Sequence, residues 1–123
     1  MKIEVSNGEI VDKLTILLIK QERIKDEAKL KNVKKEIEVI EKISDSIVSR
    51  DSKEFLRLLG INKELWAIED HIREKERRKE FDDIFISLAR SVYFTNDERA
   101  EVKRAINDVS RSNLFEEKLY EHY

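Results

Sequence analysis

The chain has 123 residues, 42% of them charged and 40% apolar, with no proline, no cysteine and two glycines. A turn-rich β fold needs proline and glycine at its corners, so the composition points to an all-α fold: a bundle of four to five mostly antiparallel helices forming a single domain over residues 1–123. The 25 basic residues nearly cancel the 27 acidic ones, which leaves no one-signed field for a polyanion and argues against nucleic acid.

Val5-Ser6-Asn7-Gly8-Glu9-Ile10 reads as a helix start. Ser6 is the N-cap, Glu9 closes a capping box, and Val5 and Ile10 occupy the positions of a hydrophobic staple. The first helix should cover residues 7–25. Its apolar residues surround it, with Ile16 and Ile19 opposite Leu14, Leu17 and Leu18, so it belongs at the centre of the bundle. Asp26 can cap a second helix over 27–47 with one narrow stripe, Leu30, Val33, Ile37, Ile40 and Ile47, suited to an outer helix or to a seam between copies of the chain. Asp51 or Ser52 can cap a long third helix, 53–78, whose Gly60 either admits a neighbouring backbone or marks a break. A fourth should start near Asp82-Asp83. Thr95-Asn96-Asp97-Glu98 repeats the capping-box pattern and suggests a kink or restart before a stretch ending near Val109. Ser112 can cap a short terminal helix with Phe115, Leu119 and Tyr120.

The third helix carries charge where apolar residues are expected. At about 100° per residue, Phe55, Leu58, Leu59, Ile61, Leu65, Trp66, Ile68 and Ile72 share one half of the wheel. Asn62, Glu69, Arg73 and Glu76 project into the middle of that half. An unpaired buried charge costs several kcal/mol, so these groups require partners or water. Glu69 and Arg73 can pair one turn apart. In the first helix Asp12 and Arg23 share the stripe of Ile16 and Ile19, and Lys13 and Lys20 share the next. Arg99 and Lys103, flanked by Asn96 and Asn107, are the expected partners from the C-terminal half, with Arg90 and Tyr93 just upstream.

Two readings follow. Either these residues form an ion-pair network that fixes the register of the bundle, or Arg73, Arg99 and Lys103 surround a pocket for an anionic ligand, with Glu69 orienting it or acting as a base. The candidate cleft is thus Asp12, Lys20, Arg23, Asn62, Glu69, Arg73, Asn96, Arg99, Lys103 and Asn107. No metal or other cofactor is expected: Glu69-Asp70-His71 and Glu116-Glu117 with His122 lack the repeated carboxylate–His spacing of a helical metal site. Trp66, on the apolar face, reads as core. No Gly-x-Ser-x-Gly elbow or phosphate-binding glycine loop occurs. The longest apolar run, residues 16–19, is far too short for a bilayer, and Met1-Lys2-Ile3-Glu4-Val5 is unlike a signal peptide, so neither a membrane partner nor a location outside the cytoplasm is expected.

Several stretches, in order, resemble a known family. They are Gly8-Glu9-Ile10-Val11-Asp12-Lys13-Leu14-Thr15-Ile16-Leu17, then Ile19-Lys20 and Glu22-Arg23-Ile24, Asn62-x-x-Leu65-Trp66-x-Ile68-Glu69-Asp70-x-Ile72-Arg73, Phe85-Ile86-x-Leu88-Ala89-Arg90-Ser91-Val92-Tyr93, Asn96-Asp97-x-Arg99-Ala100 with Lys103-x-x-Ile106-Asn107, and Glu116-Glu117-Lys118 with Tyr120. The set is similar to a family of small bacterial domains of unknown function associated with glycosyltransferase and surface-polysaccharide genes. The family's activity is unassigned, and the resemblance singles out Asp12, Lys20, Arg23, Asn62, Glu69, Arg73, Arg99, Lys103 and Asn107, many of the residues the wheel shows as odd; the leading reading is an accessory or ligand-binding domain for a small anionic or sugar-phosphate molecule. An enzyme acting on such a molecule and a structural module oligomerising through the second helix are the alternatives. The chain departs from the family at Leu119, where serine is usual, and at Arg111, where glycine is. A looser likeness, to the all-helical chorismate-mutase type, is an analogy of pocket composition alone, because the spacing in the first helix differs.

Overall fold

The capping signal at residue 6 forms, though only in part. Ser6 is extended, and its hydroxyl accepts from the Glu9 N–H at 3.3 Å. The Glu9 carboxylate does not return to Ser6 but bonds Lys103, at 2.6 Å. In this computed structural model, which describes residues 1–119, the helices are α1 (Asn7–Arg23), α2 (Glu27–Ile47), α3 (Lys53–Arg77) and α4 (Asp83–Ser110), and no strand occurs among the described residues. Asp26, Ser52 and Asp82 cap α2, α3 and α4 through their side-chain oxygens, satisfying first-turn N–H groups that have no partner inside their own helix.

The nearly all-round apolar α1 takes the central place its pattern implied, touching all three other helices. Val11, Leu14 and Leu17 from α1 pack with Phe55, Leu58 and Ile61 from α3 and Val102 and Ile106 from α4. The α2 stripe is used inside the molecule: Val33 and Ile37 are buried in the same core, with Ile40 and Ile47 against it. Gly8, Glu9 and Asp12 of α1 meet Asn107, Lys103 and Arg99 of α4 in that order.

Three boundaries differ from the sequence reading. Helix α4 runs unbroken through Thr95, whose side chain is buried rather than capping a new start; tertiary burial outweighs the local capping signal. Ser112 starts no helix. Its hydroxyl accepts from the Asn7 N–H at 2.9 Å and donates to the Leu114 carbonyl, and residues 113–119 are extended or irregular. The expected terminal helix included Tyr120, which lies outside the described residues. Helix α1 also ends two residues early, at Arg23.

The C-terminus of α4 shows why glycine is at home at position 111. Arg111 lies in the left-handed region, φ 53° and ψ 53°, and the Ser112 N–H reaches back to the Asn107 carbonyl at 2.8 Å, the closing bond of a Schellman cap. Arginine holds that conformation at a cost that glycine avoids.

The two glycines do opposite things. A Cβ built on Gly8 would overlap the Lys103 carbonyl oxygen and press on Asn107 Oδ1, so Gly8 is what lets the start of α1 reach the α4 backbone. Gly60 faces open space and admits no neighbour. Gly8→Ala should therefore lose roughly 1–3 kcal/mol by overpacking, whereas Gly60→Ala should gain about 1 kcal/mol from helix propensity. Denaturant titrations of the two variants check both signs.

Candidate functional site

The site grows from one buried carboxylate. Asp12 is 1% exposed, on the inner side of α1. Its Oδ1 accepts from Asn62 Nδ2 at 2.9 Å and Arg99 Nε at 2.9 Å, and its Oδ2 accepts from Arg99 Nη2 at 2.5 Å. Asn62 spends its second hydrogen on Thr15 Oγ1, 2.8 Å away, and Thr15 donates to the Asp12 backbone carbonyl at 2.7 Å. A two-pronged arginine–carboxylate pair, with Asn62 as a further donor to the acid, is an arrangement in which a carboxylate can be kept out of water. The hydrogen bond to Asp12 raises the Arg99 pKa against the opposing effect of burial, so this guanidinium remains charged.

One turn along α4, Lys103 is held between two acids. Its Nζ lies 2.6 Å from Glu9 Oε2 and 3.4 Å from Glu116 Oε1. Burial alone would lower the Lys103 pKa, but the Glu9 hydrogen bond and the fields of Asp12, Glu9 and Glu116 outweigh it and the net shift is upward. Glu116 moves down, held first by its hydrogen bond with Glu9 and then by Lys103 and Ser6 against burial. A turn further on, Asn107 Oδ1 accepts from the Gly8 N–H at 2.6 Å. Three first-turn N–H groups of α1 are thereby satisfied by three side chains: Asn7 by Ser112, Gly8 by Asn107 and Glu9 by Ser6.

Beside the buried pair, α1, α3 and α4 leave an open cleft of about 390 Å³. Ile16, Ile19 and Leu65 give it an apolar wall, and Trp66 faces it half-buried, with the Arg23 guanidinium 5.9 Å from its ring. Asn62, Glu69, Asp70 and Arg73 line the α3 side, and Asn96 and Arg99 the α4 side. Two of the five Arg99 N–H groups bond Asp12 and a third reaches Asn96 Oδ1 at 3.4 Å; one hydrogen each on Nη1 and Nη2 is left over.

The polar stripe expected along α3 is only partly inside. Asn62 is buried, but Glu69, Arg73 and Glu76 are exposed, and the Arg73 side chain is 71% exposed in a loose 3.8 Å pair with Glu69. Arg23, the last residue of α1, lies over Trp66, and beyond that level Ile68 is still buried while Glu69, Arg73 and Glu76 open on water. Arg99 pairs with Asp12 rather than with this stripe, and Arg90 lies over Phe94 instead of joining it. Lys103 and Asn107 sit at the start of α1, away from the cleft lining. Lys20 is half-buried and makes no ion pair among the described residues, and Lys13 pairs outward with Glu36. Trp66, expected in the core, borders the cleft instead.

The whole chain, residues 1–123, matches the family of unknown function DUF6165. The chain belongs to this family. No curated protein and no solved structure matches it. In this DUF6165 chain the sequence reading missed Thr15 and Asp70 and the pairing of Glu9 and Glu116 with Lys103. A signal existed for all four, since each stands in the stretches that carry the family resemblance.

Two outcomes follow for stability. Asp12→Ala leaves Arg99 and Asn62 without their acceptor and should cost roughly 3–5 kcal/mol in chemical denaturation. The pH profile has two limbs. Lys103 is raised, so its contribution is complete below about pH 10.4 and fades as pH climbs through its higher folded value; Glu116 is lowered, so its contribution is complete above about pH 4.3 and fades as pH falls through its lower folded value. Melting temperatures across that range should fall at both ends, and Lys103→Met should flatten the alkaline limb.

Proposed function

We propose that this DUF6165 chain is a binding domain whose cleft between α1, α3 and α4 takes a small anionic ligand of sugar-phosphate size. The observation that carries the reading is Arg99: a charged guanidinium locked from behind by Asp12 that still has N–H groups to spare beside a cleft containing Arg73 and the face of Trp66. A preorganised donor binds an anion without first having to be ordered. The apolar wall and the tryptophan suit the body of an organic molecule, and the cleft volume of about 390 Å³ lies in the range of small-molecule sites. Binding is favoured over catalysis because no nucleophile–base pair lies within hydrogen-bonding distance among the described residues that line the cleft. The family resemblance supports an accessory role in surface-polysaccharide or other glycan assembly in bacteria, in the cytoplasm. The order of the α1–α4 pairs supports a mostly antiparallel bundle beneath the cleft.

Trp66 is the only tryptophan in the chain, so its emission reports on the cleft directly. Titration with glucose 1-phosphate should change that emission saturably and raise the melting temperature, since a ligand that binds only the folded state stabilises it. Arg73→Ala, on an exposed side chain, should fold normally and weaken binding by about tenfold. If millimolar glucose 1-phosphate and UDP-glucose alter neither the emission nor the melting temperature, the reading fails.

A further inference from the structure

The charge inside the cleft is balanced, and that restricts what can bind there. Two guanidiniums, Arg73 and Arg99, face two carboxylates, Glu69 and Asp70; behind this lining a third carboxylate, Asp12, backs Arg99 and a third guanidinium, Arg23, lies over Trp66. A bare anion entering this space gains the arginines but meets the field of the acids. A polyanion does worse, because each further negative charge adds repulsion without adding a cation. The acids can accept hydrogen bonds and cannot donate them while ionised. The Glu69–Arg73 pair is long, at 3.8 Å, and both side chains are more than half exposed; exposed pairs of this kind hold their geometry weakly, so a ligand can insert between them at little cost. Asn96 adds a donor, since its oxygen faces Arg99 and its amide nitrogen is open.

From this pattern we infer that the cleft selects ligands carrying one anionic group next to hydrogen-bond donors, either hydroxyls or an ammonium, and discriminates against bare anions. The anionic group lies against the free N–H groups of Arg99 and against Arg73. The donors turn to Glu69 and Asp70, and the ring or chain between them covers Trp66 and Ile16. This inference rests on the binding reading above and narrows the chemistry of the ligand. Selection against the wrong ligand comes from acids left facing an acceptor, which is stronger discrimination than a missing apolar contact can give.

Three probes share a six-membered ring and a phosphate monoester and differ in donors: cyclohexyl phosphate has none on the ring, glucose 1-phosphate has hydroxyls, and glucosamine 1-phosphate has hydroxyls and an ammonium. Each is titrated into the full chain with Trp66 emission as readout. The expected result is that both sugars bind about tenfold more tightly than cyclohexyl phosphate, the gain of one charge-assisted hydrogen bond. The advantage should shrink in Glu69→Gln, an exposed substitution that keeps the fold, as shown by an unchanged melting temperature. A further gain for the amine over the glucose ester identifies the ammonium as the preferred donor; equality identifies the hydroxyls. If cyclohexyl phosphate binds as well as or better than the sugars, the inference is overturned while the binding reading stands. Absence of binding by all three and by UDP-glucose overturns both.

Discussion

A carboxylate at 1% exposure must be neutralised where it sits, and most of this molecule's arrangement can be traced to how Asp12 is satisfied. Arg99 has to come from α4 and Asn62 from α3, while Thr15, on the next turn of α1, holds Asn62 in place. Each has one productive position, so the three helices have little freedom to slide past one another without leaving a charge unpaired. An apolar core of leucine and isoleucine tolerates small shifts in register. A filled buried ion pair does not, because removing one partner leaves the full desolvation cost of the other. Hydrophobic burial supplies the driving force for the bundle, and the Asp12 cluster supplies its alignment.

The start of α1 is tied down by the far end of the chain. Asn107 and Ser112 accept from its first-turn amides, and Lys103 and Glu116 enclose Glu9. Helix N-termini usually satisfy these groups locally. Here two of the three acceptors lie about a hundred residues away, so α1 is complete only when α4 has docked on it. Gly8 is required at the same place, because the amide it presents to Asn107 comes with a close approach to the α4 backbone. The first-turn amides of α1 are thus taken up by the protein's own side chains, whereas on the cleft side of the Asp12 cluster Arg99 keeps N–H groups to spare.

Much of this was legible in the sequence where the cause is local. Ser6, Asp26 and Ser52 cap the helices that their side chains predicted, and the all-round apolar pattern of α1 placed it at the centre. The wheel also singled out Asp12, Asn62 and Arg99 as residues needing partners, and they partner one another. It failed for Glu69, Arg73 and Glu76 because a wheel gives the direction in which a side chain points but not what lies in that direction at that height. Whether an inward position is core or cleft depends on what the neighbouring helices place at that height: Ile68 is still buried, while Glu69, Arg73 and Glu76 open on water. Thr95 failed for the related reason that a capping pattern cannot register that the residue will be buried within a continuous helix. Gly60 carried no sign of being superfluous.

The structural and binding readings of these residues, opposed at the level of sequence, converge on Arg99. Its Nε and one hydrogen of Nη2 are committed to Asp12 and one hydrogen of Nη1 reaches Asn96, which leaves one on each Nη. A ligand using these hydrogens need not displace the buried acid. The same bonds that align the bundle therefore hold the arginine still for whatever enters the cleft, and the rigidity that makes Asp12 costly to remove makes Arg99 cheap to bind. Arg73, across the cleft, has no such support and is paired only loosely with Glu69. One fixed cation and one adaptable one, each close to an acid, form a site whose affinity is set by the first and whose selectivity is set by the second and its carboxylate neighbours.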